Sequence, residues 1–287
     1  MYDTKILFIY ARNSGKISEE SVIFFYQTIK SFSIQCYIHQ NLKSAFKFSI
    51  EEFEFFDWDN WKPNSSSLIV TLGGDGTLLD VVPYAIRSRI PVFGFHLGKL
   101  GFLTSMDFKS PLDIFFKTFL EGAFNFEFRN IIQCHYFKEN GEMYFEYCLN
   151  EAYVLRNGEN ILQTQCIINR EVSYEYFSDG VIVSTPTGST GYSLSCGGSV
   201  VLPQSQVFLI TPIACHQSQI RPIIIPNNFS VELISCGDVA SSSLFLDGKK
   251  TIYDPSKPIR ISIAEEILSI ARIPTGSTLE SILKKLF

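Results

Sequence analysis

The turn Gly73-Gly74-Asp75-Gly76-Thr77 follows directly on the apolar run 67–72 and constrains the fold more than any other part of the sequence. The run reads as a buried strand, and apolar residues from Leu78 onward predict a helix after the turn. Glycines allow the backbone to approach a ligand closely and to present its N–H groups to phosphate. A carboxylate among them suggests a hydroxyl that must lose a proton, or a metal ion, and so phosphoryl transfer. The alternative, equally open on these five residues, is a tight turn in which Asp75 caps the helix.

The nucleotide-binding motifs that most often follow a first strand are absent. The sequence contains no G-x-x-x-x-G-K-[ST], and the segment 10–15 after the first apolar run carries no G-x-G-x-x-G. A Walker-type phosphate loop is therefore excluded.

Composition indicates a folded cytoplasmic protein with sizeable cores. Of the 287 residues, 46% are hydrophobic and 18% are charged, and the net charge of −5 offers no footprint for nucleic acid or an anionic membrane. Seven scattered cysteines without a C-x-x-C pair argue against a disulfide framework or a zinc site. Neither a signal segment nor a membrane-spanning stretch is expected.

The apolar periodicity divides the chain into two domains. Alternating strands and helices over residues 1–105 predict an α/β domain with a parallel, Rossmann-like sheet. Short β-runs separated by turn signals over 106–274 predict an all-β sandwich. The last stretch, 275–287, returns to helical spacing and is expected to pack on the first domain as a closing helix.

Two further segments carry candidate binding groups. The segment 178–199 is dense in Ser, Thr and Gly around Tyr192, and such hydroxyls and amides suit a sugar or phosphate. Asp179 lies just before its strand, placed to meet an amide or a ribose hydroxyl. Asn150 and Glu151 lie within the apolar β-run 147–155, where a regular strand would direct them to opposite faces. Only a bend or bulge would allow both to meet one ligand.

Taken in order, these segments resemble the NAD kinase family. The matching stretches are GGDGTLL at 73–79, LGKLGFLT at 97–104, NEAYVLR at 150–156, DGVIVSTPTGSTGYSLSCGG at 179–198, ITPIACHQSQIRPIIIP at 210–226 and Asp247-Gly248. The resemblance runs from about residue 67 to 248. It implies transfer of the γ-phosphoryl of ATP, or of polyphosphate as an alternative donor, to the 2′-hydroxyl of the adenosine ribose of NAD, yielding NADP.

The resemblance also implies roles for individual residues. Asp75 would activate the hydroxyl, Gly74 and Gly76 would lie near phosphates, and Phe102 would contact adenine. Asn150 and Glu151 would bind the ribose and pyrophosphate region. The residues expected to hold the other nucleoside are Asp179, Thr190, Gly191, Tyr192, Ser195 and Ala214.

The family implies partners and cofactors as well. Mg²⁺ or another divalent metal would act on the phosphates of ATP without a dedicated protein cage, so we expect no protein metal ligands. A homodimer or homotetramer is expected.

The chain departs from the family pattern at four places. Gly191 stands where Ala is usual, Ser178 where Gly is common, and His96 where Asn is frequent. The run Cys215-His216-Gln217 replaces Pro-His-Ser, and we interpret His216 as structural.

Two alternatives stay open. A lipid kinase or phosphofructokinase relative with the same glycine turn should carry a lipid-facing surface or an Arg-rich sugar-phosphate pocket. A non-catalytic NAD(H)-binding regulator would share the fold without the activity.

Overall fold

A computed structural model describes residues 4–13, 17–45, 53–236 and 242–274. The chain divides into two compact units, Met1–Phe128 with Leu268–Phe287, and Arg129–Ile267. The sequence boundary at 105 is thus too early, because α3 belongs to the first unit: its Phe115, Phe116 and Phe119 are part of that unit's core. The boundary near 274 likewise moves to 267. The expected closing helix 275–287 lies outside the described residues.

The first unit is built around a parallel sheet. Its strands are β1 Ile6–Ala11, β2 Gln35–His39, β3 Phe55–Phe56, β4 Ser67–Leu72, β5 Val92–His96 and β6 Met106–Asp107. Its helices are α1 Glu19–Ser31, α2 Asp75–Ser88 and α3 Asp113–Glu121, with a 3-10 segment at Gln40–Ala45. The strand order is β5-β4-β1-β2-β3, and β6 pairs with β5, with every pairing parallel.

Helix α1 shows how local sequence sets this unit. The Ser18 side chain accepts a hydrogen bond from the Ser21 amide, and Glu19 and Glu20 occupy the first turn. Its buried residues, Val22, Phe25, Tyr26 and Ile29, follow the spacing of one helical face. That face packs into the core beneath the sheet.

The second unit is all β. Its strands are β7 Asn125–Phe137, β8 Met143–Cys148, β9 Glu151–Arg156, β10 Leu162–Ile168, β11 Val172–Ser178, β12 Gly180–Ser184, β13 Val207–Ile213, β14 Ile223–Pro226, β15 Val231–Cys236, β16 Ser242–Leu246, β17 Lys249–Thr251 and β18 Ile259–Arg272. A 3-10 segment, Thr187–Thr190, and the short helix α4, Tyr192–Ser195, follow β12. Strands β7 and β18 each carry the chain across a unit boundary.

Two antiparallel layers form this second unit. One runs β14-β13-β12-β9-β16-β17. The other includes β11-β10-β15-β18, and β7 pairs with β8. Residues from both layers share one apolar core, including Val154, Val183, Cys166 and Leu233. The sandwich expected from the sequence is confirmed.

Candidate functional site

Three neighbouring strands of the parallel sheet end at one edge. Arg12 follows β1, the glycine turn follows β4, and the segment 97–104 follows β5. The two strands that pair with β1 lie on opposite sides of it, β2 on one side and β4 on the other. The order in which successive strands are added to the sheet therefore reverses after β3. Such a switch point leaves a crevice at the carboxyl ends of the strands, where ligands of open α/β sheets bind.

Asp75 does not cap the helix that it begins. The N-cap residue of α2 is Gly74, and no side chain caps this helix end. The Asp75 carboxylate instead accepts hydrogen bonds from the amides of Phe102 (2.6 Å), Leu103 (2.9 Å) and Thr104 (3.2 Å). The capping interpretation is therefore wrong, because the carboxylate is committed to the loop after β5.

Glycines make this contact between turn and loop possible. A Cβ built on Gly101 would collide with the Asp75 carboxylate, and one on Gly73 would collide with Thr77 Oγ1. The glycines of the two motifs therefore serve the packing of turn against loop as well as any ligand.

Arg272 binds the backbone carbonyls of the same loop. Its Nη1 donates to the carbonyls of Leu103 (2.9 Å) and Thr104 (2.8 Å) and to Ser105 Oγ (2.9 Å). Its Nε donates to Glu127 at 3.0 Å, and both side chains are largely buried. We call segment 102–105 with Asp75, Arg272 and Glu127 the loop clamp. Sequence analysis missed Arg272, which lies more than 160 residues from the loop and in no motif.

A cavity of about 490 Å³ opens beside the glycine turn. It is lined by Gly73, Gly74 and Gly76 from the turn, by Arg12, and by Lys99 from the loop after β5, among others. Backbone N–H groups at the start of α2 and two cations give it the character of an anion site.

In the second unit, the chain bends at Leu149 and Asn150, immediately before Glu151. The predicted β-run 147–155 is two strands, β8 and β9, with Leu149 and Asn150 in the bend between them. Asp247, which follows β16, accepts hydrogen bonds from the amides of Leu149, Asn150 and Glu151 at 2.7 to 3.1 Å. This bend removes the strict alternation that would keep the two side chains apart.

The hydroxyl-rich segment packs onto this bend. Thr185 Oγ1 donates to the Leu149 carbonyl at 2.6 Å, and the Thr185 amide donates to the Asn150 carbonyl at 2.9 Å. Gly188 lies so close that a Cβ there would collide with the Asn150 backbone. The segment is therefore ordered here, with Thr187, Gly188 and Ser189 buried.

Glu151 is a buried acid with an unusual environment. Its side chain is only 5% exposed, and Oε2 has no hydrogen-bond partner among the described residues. Burial, then the nearby Asp247 carboxylate, raises the pKa of Glu151 to about 8, against the lowering effect of the Tyr192 amide. Burial also raises the pKa of Asp247 to about 6. A Cβ on Gly191 would lie 2.8 Å from Oε2, so the missing side chain leaves room around this oxygen.

An aromatic group lies beside Glu151. Tyr153 stacks on Phe245 with ring centroids 4.8 Å apart, and Tyr192 meets Tyr153 edge-on at 5.1 Å. All three rings are half-buried. A flat ligand ring could stack here, since aromatic rings bind bases through their faces.

The remaining predicted residues lie in different surroundings. The Asp179 carboxylate pairs with Arg156 at 2.6 Å, and its amide donates to the Ile213 carbonyl, which brings it beside Ala214. Thr190 Oγ1 donates to the Thr187 carbonyl, while Ser195 is exposed.

The predicted residues therefore fall into two groups. Gly74, Asp75, Gly76 and Phe102 are in the first unit. The second unit holds Asn150, Glu151, Asp179, Thr190, Gly191, Tyr192, Ser195 and Ala214.

The two histidines singled out by the sequence differ in burial. His96 is 8% exposed, and its Nδ1 lies 2.7 Å from the Gly98 carbonyl, so it orders the start of the loop after β5. His216 is exposed, and its backbone amide donates a hydrogen bond to the Phe177 carbonyl.

Within the described ranges, no group of three or more His, Cys, Asp or Glu side chains could hold a metal ion. None of the helices in these ranges is long and apolar enough to cross a membrane.

Family profiles match both units. The ATP-NAD kinase N-terminal domain matches residues 16–123, and the ATP-NAD kinase C-terminal domain matches residues 149–273.

Curated relatives match over most of the chain. The NAD kinase of Campylobacter lari is 33% identical over 195 residues, which is 68% of this chain and 68% of the relative. The Aquifex aeolicus NAD kinase is 36% identical over 67% of this chain and 70% of the relative. The Porphyromonas gingivalis NAD kinase is 32% identical over 78% and 77%.

Two solved structures share the fold. Yeast NADH kinase complexed with NADH superposes with a TM-score of 0.86, at 24% identity, over 98% of this chain and 87% of that chain. An Archaeoglobus fulgidus NAD kinase in complex with ATP gives a TM-score of 0.73, at 22% identity, over 98% of both chains.

Proposed function

The chain belongs to the NAD kinase family and is an enzyme of that type, and we propose that it transfers the γ-phosphoryl of ATP to the 2′-hydroxyl of the adenosine ribose of NAD. The observation that carries the proposal is the fixed carboxylate of Asp75 at the head of α2, beside a cavity lined by glycine amides and two cations. Those are the groups that a hydroxyl nucleophile and a phosphate donor require.

Asp75 is proposed as the general base. The 2′-hydroxyl oxygen would attack the γ-phosphorus while its proton passes to the carboxylate, and ADP would leave. A carboxylate has about four acceptor positions. Three are used by loop amides, with Oδ2 accepting from Phe102 alone among the described residues, so one position remains for a substrate hydroxyl. The loop clamp supports this role because a base must be held in place to be efficient.

The remaining site residues are proposed as dinucleotide contacts. Gly74, Gly76 and Phe102 would face phosphate and adenine, and Asn150 with Glu151 would bind the ribose and pyrophosphate region. A neutral Glu151 can donate as well as accept a hydrogen bond, which suits a ribose hydroxyl. The proposed contacts to the other nucleoside are Asp179, Thr190, Gly191, Tyr192, Ser195 and Ala214. The ring of Tyr192 supports stacking on a base, and NADH bound to the yeast relative supports the ligand class.

A divalent cation, with Mg²⁺ the first choice, fits as a companion of the nucleotide. Asp75 is engaged by the loop amides, and Asp80, further along α2, is engaged by Arg12. The cation would therefore be held by phosphate oxygens and water, and it would neutralise phosphate charge. ATP is the proposed donor, supported by the ATP complex of the archaeal relative, and polyphosphate is the alternative.

Self-association to a homodimer or homotetramer is part of the proposal. Supporting it, the second unit exposes apolar side chains on β8, with Met143 60% and Phe145 46% exposed. Light scattering coupled to gel filtration would test it, and a monomer at assay concentration would contradict it.

The role of Asp75 is tested by Asp75→Asn. Removing a general base should lower kcat by about 100-fold or more. Binding of NAD, measured by titration calorimetry, should be retained. Asp113→Asn is the matched control, because Asp113 is also the first residue of a helix in the same unit and is exposed. Loss of NAD binding together with kcat would instead identify Asp75 as purely structural.

The acceptor hydroxyl is tested with an NAD analogue that lacks the adenosine 2′-hydroxyl. The wild-type enzyme should bind the analogue and form no phosphorylated product from it. Phosphorylation of the analogue would place the acceptor elsewhere and overturn the proposed reaction.

A further inference from the structure

Arg12 occupies a position that none of the motifs includes. It is the first residue after β1, on the opposite side of the switch point from the glycine turn. It lines the same cavity as Gly73, Gly74 and Gly76. Its side chain remains 46% exposed.

The guanidinium is held in a fixed orientation by α2. Nε and Nη2 donate to the two oxygens of Asp80 at 2.5 and 3.0 Å, and Nη2 also donates to the Gly76 carbonyl at 2.7 Å. Asp80 is only 12% exposed and accepts a further hydrogen bond from the Tyr10 hydroxyl at 3.3 Å. Because Gly76 and Asp80 are four residues apart, they lie one helical turn apart on one face of α2. Both can therefore accept hydrogen bonds from the same guanidinium.

Gly76 permits this placement. A Cβ there would lie 3.1 Å from Nη1 of Arg12, which is tighter than ordinary contact. The guanidinium therefore lies against the glycine Cα. Its Nη1 group carries N–H donors beyond those used by Asp80 and Gly76.

We propose that Arg12 binds the phosphates of the donor nucleotide, and that Asp80 is the positioning residue that holds its guanidinium over Gly76. This rests on the proposed function and adds a phosphate ligand outside the recognised motifs. A pre-oriented guanidinium loses little freedom on binding and matches phosphate geometry, which a mobile lysine does not. Lys99 supplies a further cation to the same cavity.

Steady-state kinetics of Arg12→Ala, Arg12→Lys and Asp80→Asn test the inference. Because charge-assisted hydrogen bonds to phosphate would be lost, Arg12→Ala should raise KM for ATP by about 10-fold or more. KM for NAD should stay near the wild-type value. Arg12→Lys should recover part of the loss, and Asp80→Asn should raise KM for ATP by a smaller factor. The control is Arg260→Ala, which breaks a comparable surface ion pair with Glu232 in the other unit.

Binding of a non-hydrolysable ATP analogue, measured by calorimetry, separates this inference from the proposed function. Weaker analogue binding to Arg12→Ala, with NAD binding intact, supports the inference whether or not turnover is observed. If Arg12→Ala and the wild type bind the analogue equally and the variant only has a lower Tm, Arg12 serves stability alone and the inference is overturned. If Arg12→Ala does not fold, Arg12→Lys carries the same comparison. A wild-type enzyme that binds the analogue yet makes no NADP would contradict the proposed function alone.

Discussion

Glu151 is a predicted site residue whose acidity departs strongly from that of a free side chain. Burial and the neighbouring Asp247 carboxylate raise its pKa from an ordinary 4.5 to about 8. Its neutral form is therefore favoured in the folded protein. A group with a raised folded pKa contributes stability that is fully present below the unfolded pKa, and this is lost as pH rises through the folded pKa.

This environment predicts a pH-dependent stability that Glu151→Gln should remove. The wild-type Tm should fall as pH rises from 4.5 to about 8, the window set by the raised pKa of Glu151. Each proton released costs about 1.4 kcal/mol per pH unit. The Tm of Glu151→Gln should fall only up to about pH 6, because Asp247, whose pKa is raised to about 6, still releases its proton in that range.

Thermal melts at a series of pH values provide the measurement. Glu139→Gln, at an exposed position, is the control and should follow the wild-type curve. Parallel curves for Glu151→Gln and wild type would show that Glu151 is ionised in the folded protein.

At the scale of single elements, the loop clamp connects four separate parts of the chain. Asp75 binds the amides of 102–104, and Arg272 binds the carbonyls of the same residues, so the loop is fixed on both sides. Glu127 completes the clamp by pairing with Arg272. The orientation of Asp75 thus depends on a residue at the end of β18.

Arg272→Met should therefore destabilise the protein and disturb catalysis together. Removing Arg272 breaks a largely buried ion pair with Glu127, at a cost of about 3 kcal/mol. The expected Tm decrease should be accompanied by a fall in kcat, because the loop that holds Asp75 loosens. The matched control, Arg260→Met at an exposed pair, should cost less than about 1 kcal/mol.

A double-mutant cycle with Glu127→Gln isolates the pair. Coupling between Arg272 and Glu127 should be evident in the unfolding free energy. Additive effects of the two changes, or a normal kcat in Arg272→Met, would contradict the clamp.

Sequence periodicity predicted most elements because their causes are local. The strand predicted at 67–72 is β4, and the helix predicted after the glycine turn is α2. Two failures came from contacts between remote residues. The hydrogen-bond partners of the Asp75 carboxylate could not be predicted, because the amides of 102–104 reach it only through tertiary packing. The bend at Leu149–Asn150 was missed because Asp247, nearly 100 residues away, stabilises it.

At the scale of the whole chain, the family follows from both units. Profiles of the two ATP-NAD kinase domains cover residues 16–123 and 149–273, which argues against a lipid kinase or phosphofructokinase relative. The sequence placed the end of the first domain at residue 105, whereas that unit continues to Phe128 and includes α3. The phenylalanines of α3 pack with the parallel-sheet core.

The remaining rival at this scale is a non-catalytic NAD(H)-binding regulator. It would keep the fold and the proposed dinucleotide contacts of the second unit. It would have no use for an oriented carboxylate beside a cavity lined by glycines and cations, which is what Asp75 and its surroundings provide. Only turnover separates the two.

Incubating the purified protein with ATP, Mg²⁺ and NAD and quantifying NADP tests the proposed reaction and the role of Asp75 together. We expect NADP formation that depends on ATP and is abolished in Asp75→Asn but not in Asp113→Asn. Absence of NADP with ATP, GTP and polyphosphate as donors, from a folded protein that binds NAD, would contradict it.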